Sequence, residues 1–263
     1  MRRLALAFLA LLGALALAGV APARSAPTDL AIVASIRWPG ANPRSLIAAG
    51  GILYVADYRE DLLVTLSLSD PTRPTLLGQY SNRGEACDLA LEGSLLLVPA
   101  KWGGTYAFDV TDPARPLRLS TYLYPPVPAE CPSGQLVKGV ELRGGIAYLA
   151  EECYGLLTVD FTNPAQPLLR ARFDENTFGE DVATDGNYLY MAAGRVGLVF
   201  DLSNPQSPRK VFQWTPPGYL RRIRVRGDYV YLVQTEGGVE IRRRYGQGFG
   251  LVGTIGASDF AYD

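Results

Sequence analysis

No histidine occurs anywhere in the 263 residues, and cysteine and methionine are scarce, at three and two. Without an imidazole the chain cannot build a Ser-His-Asp or Cys-His nucleophile, a His-ligated zinc or a base that titrates near neutrality. The cysteines, Cys87, Cys131 and Cys153, include no Cys-x-x-Cys pair, which argues against a thiolate metal site. No Gly-rich phosphate loop is evident either, so neither a metal nor a cofactor is expected. Neither sign of charge is in clear excess: 25 Lys and Arg stand against 26 Asp and Glu, a net −1. The overall field therefore gives no reason to expect nucleic acid as a partner. A local basic cluster at Arg221, Arg222, Arg224 and Arg226 reads as a solvated strand face, because alternate residues of a strand share a side.

What is present begins with Arg2 and Arg3, an apolar stretch from Leu4 to Val20, and the small-x-small sequence Ala21-Pro22-Ala23. These are the parts of a secretory signal peptide over residues 1–23, leaving 24–263 as one mature domain. A retained anchor is the alternative, since the stretch is near the minimum length for a spanning helix. Either way the folded part is expected outside the cytoplasm, whether secreted, periplasmic or at the cell surface. If the peptide is cleaved, no transmembrane span follows. Cysteine is absent near the cleavage site, against a lipoprotein.

The rest of the chain repeats. Ser-Leu-Ile-Ala-Ala-Gly-Gly-Ile-Leu-Tyr-Val-Ala at 45–56 returns in related form at 88–99, 139–150, 181–192 and 222–233. The aligned glycines Gly50, Gly93, Gly144, Gly186 and Gly227 set a period near 42, that of a four-stranded propeller blade. One spacing is longer, which marks an insertion of roughly nine residues ahead of the third unit. The second half of a unit supplies two more strands and a turn at Asp70-Pro71, Asp112-Pro113, Asn163-Pro164 or Asn204-Pro205. An Asx side chain bonds the backbone ahead of it and Pro presets φ, so these are turns at hairpin tips. Asp109, Asp160 and Asp201 recur just before the tips and read as turn caps, because a catalytic pair need not be copied from blade to blade.

The strings Thr-Val-Asp-Phe-Thr-Asn-Pro at 158–164 and Val-Phe-Asp-Leu-Ser-Asn-Pro at 199–205 resemble the LVIVD repeat of bacterial and archaeal secreted or surface proteins. The resemblance covers nearly all of the mature chain and implies an extracytoplasmic β-propeller, with no catalytic residues to carry over. Departures fall in the first unit, where Ser67 replaces the Asp, and in the fifth, where residues 243–248 replace the Pro turn. The expected fold is all-β: five blades of four antiparallel strands over about 45–80, 88–122, 139–173, 181–214 and 222–255. Six blades, one of them incomplete, is the alternative. The segment Leu30–Trp38 is expected to close the ring by joining the final blade, which would remove an exposed edge.

Successive antiparallel strands bring the connections between blades and the second turn of each blade to one face. That face lacks the Pro turns and collects the varied residues, so a site is expected there. Its candidate binding residues are Tyr58, Trp102, Glu151, Glu152, Tyr154, Glu180, Arg195 and Arg221. The cysteines fall on the same face. In an oxidising compartment Cys131, inside the insertion, is expected to pair with Cys153, with Cys87–Cys131 as the alternative. The favoured function is a non-catalytic binding module for a protein or glycan at the cell envelope. A carboxylate-based hydrolase or lyase using Glu151 or Glu180 is one rival, and a purely structural surface component is the other.

Overall fold

The computed structural model describes residues 35, 42–59, 62–81, 85–101, 103–126, 136–174, 177–245 and 248–256. The expected signal peptide, most of the segment 30–38 expected to close the ring, Trp102 and Cys131 lie outside the described residues. Ile36–Asp263 form one compact unit. Its strands fall into five sheets of four. Blade 1 is β1 (Pro43–Ala49), β2 (Ile52–Asp57), β3 (Leu63–Ser67) and β4 (Thr75–Tyr80). Blade 2 is β5 (Ala90–Glu92), β6 (Leu95–Ala100), β7 (Gly104–Asp109) and β8 (Leu117–Tyr122). Blade 3 is β9 (Val137–Arg143), β10 (Ile146–Glu151), β11 (Gly155–Asp160) and β12 (Leu168–Phe173). Blade 4 is β13 (Asp181–Thr184), β14 (Tyr188–Ala193), β15 (Val196–Asp201) and β16 (Arg209–Trp214). Blade 5 is β17 (Leu220–Arg226), β18 (Tyr229–Gln234), β19 (Gly238–Tyr245) and β20 (Gly248–Ile255). Every neighbouring pair is antiparallel, and the blade limits fall within two residues of the repeat units. Among the described residues no helix is long and apolar enough to cross a membrane.

Each aligned glycine sits in the turn from first to second strand with φ between 57° and 102°, left-handed backbone that a Cβ would strain. In blades 2, 3 and 4 the second and third strands are buried almost throughout, because each of these blades packs between two neighbours, whereas β18 and β19 of blade 5 alternate between buried and partly exposed positions. Ile146–Glu151 and Gly155–Asp160 are buried at every position. This is why runs such as Leu95–Val98 are continuously apolar and do not alternate. The core lies in the seams: one buried cluster joins blades 1 and 2, a second joins 2 and 3, and two more follow for 3 with 4 and 4 with 5.

Polar ties cross the same seams in one sense around the ring. The carbonyl of Pro113 accepts from Thr65 Oγ1 (2.5 Å), that of Pro164 from Ser120 Oγ (2.5 Å), and that of Pro205 from Tyr148 Oη (3.1 Å). The Pro turns are thus hairpin tips that also dock on the preceding blade. Nearer the axis, Asp88 Oδ2 accepts from the Val140 N–H (3.0 Å) and Asp181 Oδ2 from the Ile223 N–H (2.9 Å). The acidic residues before the tips cap their turns: Asp109, Asp160 and Asp201 accept from the N–H of Thr111, Thr162 and Ser203. The hydroxyls of Thr111 and Thr162, together with these N–H bonds, hold the Asp109 and Asp160 carboxyls below the usual carboxylate range, and the Ser203 N–H does so for Asp201. Tyr148→Phe, which removes one docking bond, is expected to lower stability by about 1 kcal/mol in urea unfolding, without loss of β-structure in circular dichroism.

Candidate functional site

The innermost strands begin at one end of the axis, and their first side chains surround a pocket of about 430 Å³. Arg44, Cys87, Lys138, Glu180 and Arg221 all line it. Each stands six residues before its unit's aligned glycine, so one column of the repeat supplies one residue per blade. Tyr58 and Lys101, in a second column eight residues after the glycine, close over the wall from the turns between second and third strands. The chain has three lysines, and two of them, Lys101 and Lys138, are on this pocket. With Arg44, Arg221 and Arg222, five cationic side chains face it against a single lining carboxylate.

That carboxylate, Glu180, is buried and fully engaged. Lys138 Nζ lies 2.8 Å from Oε1 and Arg221 Nη1 3.2 Å from Oε2, while Tyr219 Oη donates to Oε1 at 2.7 Å. The guanidinium of Arg221 also packs over the Tyr219 ring at 4.7 Å. Burial, followed by the bond to Glu180, pushes the Tyr219 phenol up. Lys138 reaches Glu152 as well, at 3.1 Å. On the opposite wall Lys101 lies 3.6 Å from Glu85 and donates to Tyr58 Oη at 3.4 Å. Arg44 stacks over the Tyr58 ring at 4.7 Å.

The remaining candidates separate by place. Tyr58, Glu180 and Arg221 meet at the pocket, with Glu152 behind Lys138. Arg195 is exposed on a turn of the same face. Glu151 and Tyr154 are buried in the frame and offer no free surface. Glu151 accepts from the backbone N–H groups of Leu136, Cys153 and Tyr154, fastening the turn after β10. Tyr154 donates to the carbonyl of Pro126 and takes Arg172 over its ring at 4.4 Å. Cys153 is in a disulfide and Cys87 is a free thiol, which removes the Cys87–Cys131 alternative. Burial and the neighbouring Asp88 push the Cys87 thiol up to about 11, so it is no nucleophile at neutral pH. Among the described residues no group of three or more acidic or cysteine side chains is placed to hold a metal ion.

The sequence reading missed Arg44, Lys101, Lys138 and Arg222 as members of one site. Reading down the repeat finds them: the position six before the glycine varies as Arg, Cys, Lys, Glu, Arg, while the position two further on stays apolar as Leu46, Leu89, Val140, Val182 and Ile223, so the fold constrains the second and leaves the first open. Such a ring of blades around an axial pocket is a five-bladed β-propeller. The LVIVD repeat family matches residues 41–82, 135–175, 179–215 and 217–241, more than half the chain, and the protein belongs to that family. Residues 83–134 are not matched, although blade 2 folds like the others. A solved protein from Lactobacillus plantarum is 14% identical, with a TM-score of 0.70 over 84% of this chain and 73% of that one. The β-propeller domain of Cps50 (Swd1) from Myceliophteria thermophila gives 14% identity and 0.64 over 83% and 74%. A chain of a nidogen/laminin complex gives 13% and 0.56 over 78% and 77%. These likenesses concern the fold alone. No curated protein matches the chain.

Proposed function

We propose that this propeller is an extracytoplasmic, non-catalytic binding module that takes a protein or glycan of the cell envelope on the face around the axial pocket. The observation that carries the reading is the column itself: each blade sends one side chain to the same concavity, and their chemistry differs while the blades stay alike. Loops and strand ends on a rigid scaffold are where binding residues collect. A hydrolytic role is less well supported, because the acids it would use are engaged: Glu151 in three backbone bonds and Glu180 in three side-chain bonds.

On the rim of this face Leu123, Phe178 and Arg195 are exposed. The full chain, immobilised, is expected to retain envelope material that a Leu123→Ser, Phe178→Ser, Arg195→Ala variant of unchanged circular dichroism retains at least about tenfold less, the effect of removing a few contacts of a kcal/mol each. Empty profiles from both forms, or equal retention by both, would refute binding through this face.

A further inference from the structure

We propose that the axial pocket binds a small polyanion: a compact molecule, or the compact end of a larger one, carrying at least two carboxylate or phosphate groups. The proposal rests on the binding-module reading and names the class of ligand.

Charge is the first reason. A chain of net charge −1 gathers five cations from four blades around about 430 Å³. Like charges converging on one concavity repel, and low-dielectric walls strengthen the repulsion. An arrangement of this kind is costly when empty and is relieved by an anion. Glu180 pairs with Lys138 and Arg221, Glu152 also with Lys138, and Glu85 lies 3.6 Å from Lys101, yet donors are left over. Among the described residues, Arg221 Nε is buried with no acceptor, and Arg44 meets a tyrosine ring and no carboxylate. A guanidinium carries five N–H donors in a fork shaped for two oxygens of a carboxylate or phosphate.

Distribution is the second reason, and it specifies several charges over one. Arg44 comes from blade 1, Lys101 from blade 2, Lys138 from blade 3, and Arg221 and Arg222 from blade 5. A single oxyanion can satisfy one side of such a ring, whereas two or three groups on one small frame reach opposite sides together. The volume suits a small molecule or one or two sugar units.

Free polyanions and the charged end of an acidic glycan share this chemistry, so calorimetric titration of the full chain uses one probe of each kind: citrate, tripolyphosphate and a galacturonate trisaccharide. At least one is expected to bind, with affinity falling as salt is raised. The trisaccharide alone binding would mark the glycan as the source; citrate or tripolyphosphate binding more tightly would mark a free polyanion. Arg44→Gln with Lys101→Gln, neither in the core, is expected to weaken binding by about tenfold or more, as expected for lost bonds to charged groups. The charge-keeping pair Arg44→Lys, Lys101→Arg should recover part of the loss. No heat with any probe at millimolar concentration, or equal affinity in the Gln pair, would overturn the proposal. If the rim experiment above still shows retention, the ligand class alone falls; if both are silent, the binding-module reading falls with it.

Discussion

Phe108→Ala is expected to lower the unfolding free energy by roughly 3–5 kcal/mol, read as a shift of the urea midpoint at unchanged slope. Phe108 is fully buried on β7 and meets Tyr80 of blade 1 edge to face, with ring centroids 4.8 Å apart at 72°. The pairing recurs two blades on: Phe200 of β15 is also fully buried and meets Phe173 of blade 3 at 4.7 Å and 88°. In each case the last ring of an outer strand stands against the third strand of the next blade, in the geometry that aromatic quadrupoles favour. Removing the ring loses its transfer free energy and leaves a cavity in the seam, which backbones pinned by hydrogen bonds on both sides cannot close. Phe200→Ala is expected to cost a similar amount, since the same pair is lost. A cost under about 1 kcal/mol for both would mean that the seams are looser than this packing implies.

Raising the pH from about 4.5 to 7 is expected to destabilise the protein, with Glu141 the principal cause. Its carboxyl, on β9, is pushed up to about 7, first by burial and then by the acids Asp181 and Asp88, against the opposing pull of Arg224 and Arg143. In the unfolded chain a glutamate titrates near 4.3. Between these values the folded state holds a proton that the unfolded state has lost, so stability is greatest below the unfolded value and falls as pH rises through the folded one. Asp181, raised by burial against the pull of Arg224, acts in the same direction. The Glu141 contribution is on the order of 1–3 kcal/mol, since each pH unit separating the folded and unfolded titrations is worth roughly 1.4 kcal/mol. Glu141→Gln keeps the shape without the charge and should flatten the profile, being more stable than the wild type at pH 8 and little changed at pH 4.5. Parallel profiles for the two proteins would locate the pH dependence elsewhere.

The architecture was legible because it is written repeatedly. Gly50, Gly93, Gly144, Gly186 and Gly227 mark a turn that needs left-handed backbone, and the Asx-Pro pairs mark another, so the blade limits follow from local chemistry. The candidate site was legible only in part, for two physical reasons. Read along the chain, Arg44 or Lys138 is an ordinary cation at the start of a strand; its role comes from convergence with residues about forty positions away, which only comparison between units reveals. Conversely, Glu151 and Tyr154 look like loop residues in the sequence, yet a turn that buries its own backbone needs an internal acceptor and a packing ring. They are drawn inward to serve as both.

The column at the mouth differs from the latches in what depends on it. Arg44, Lys138, Glu180 and Arg221 spend their side chains on one another, on nearby rings and on acids, Cys87 bonds the nearby Glu85 carbonyl, and among the described residues none bonds the backbone of another blade. The ties that orient the blades use other residues: Asp88, Asp181 and the Pro-turn carbonyls. Substitution at the mouth therefore leaves the ring standing. A lineage carrying this frame can vary Arg44 at the mouth by itself, whereas Lys138, Glu180 and Arg221 share one set of ion pairs and have to change together.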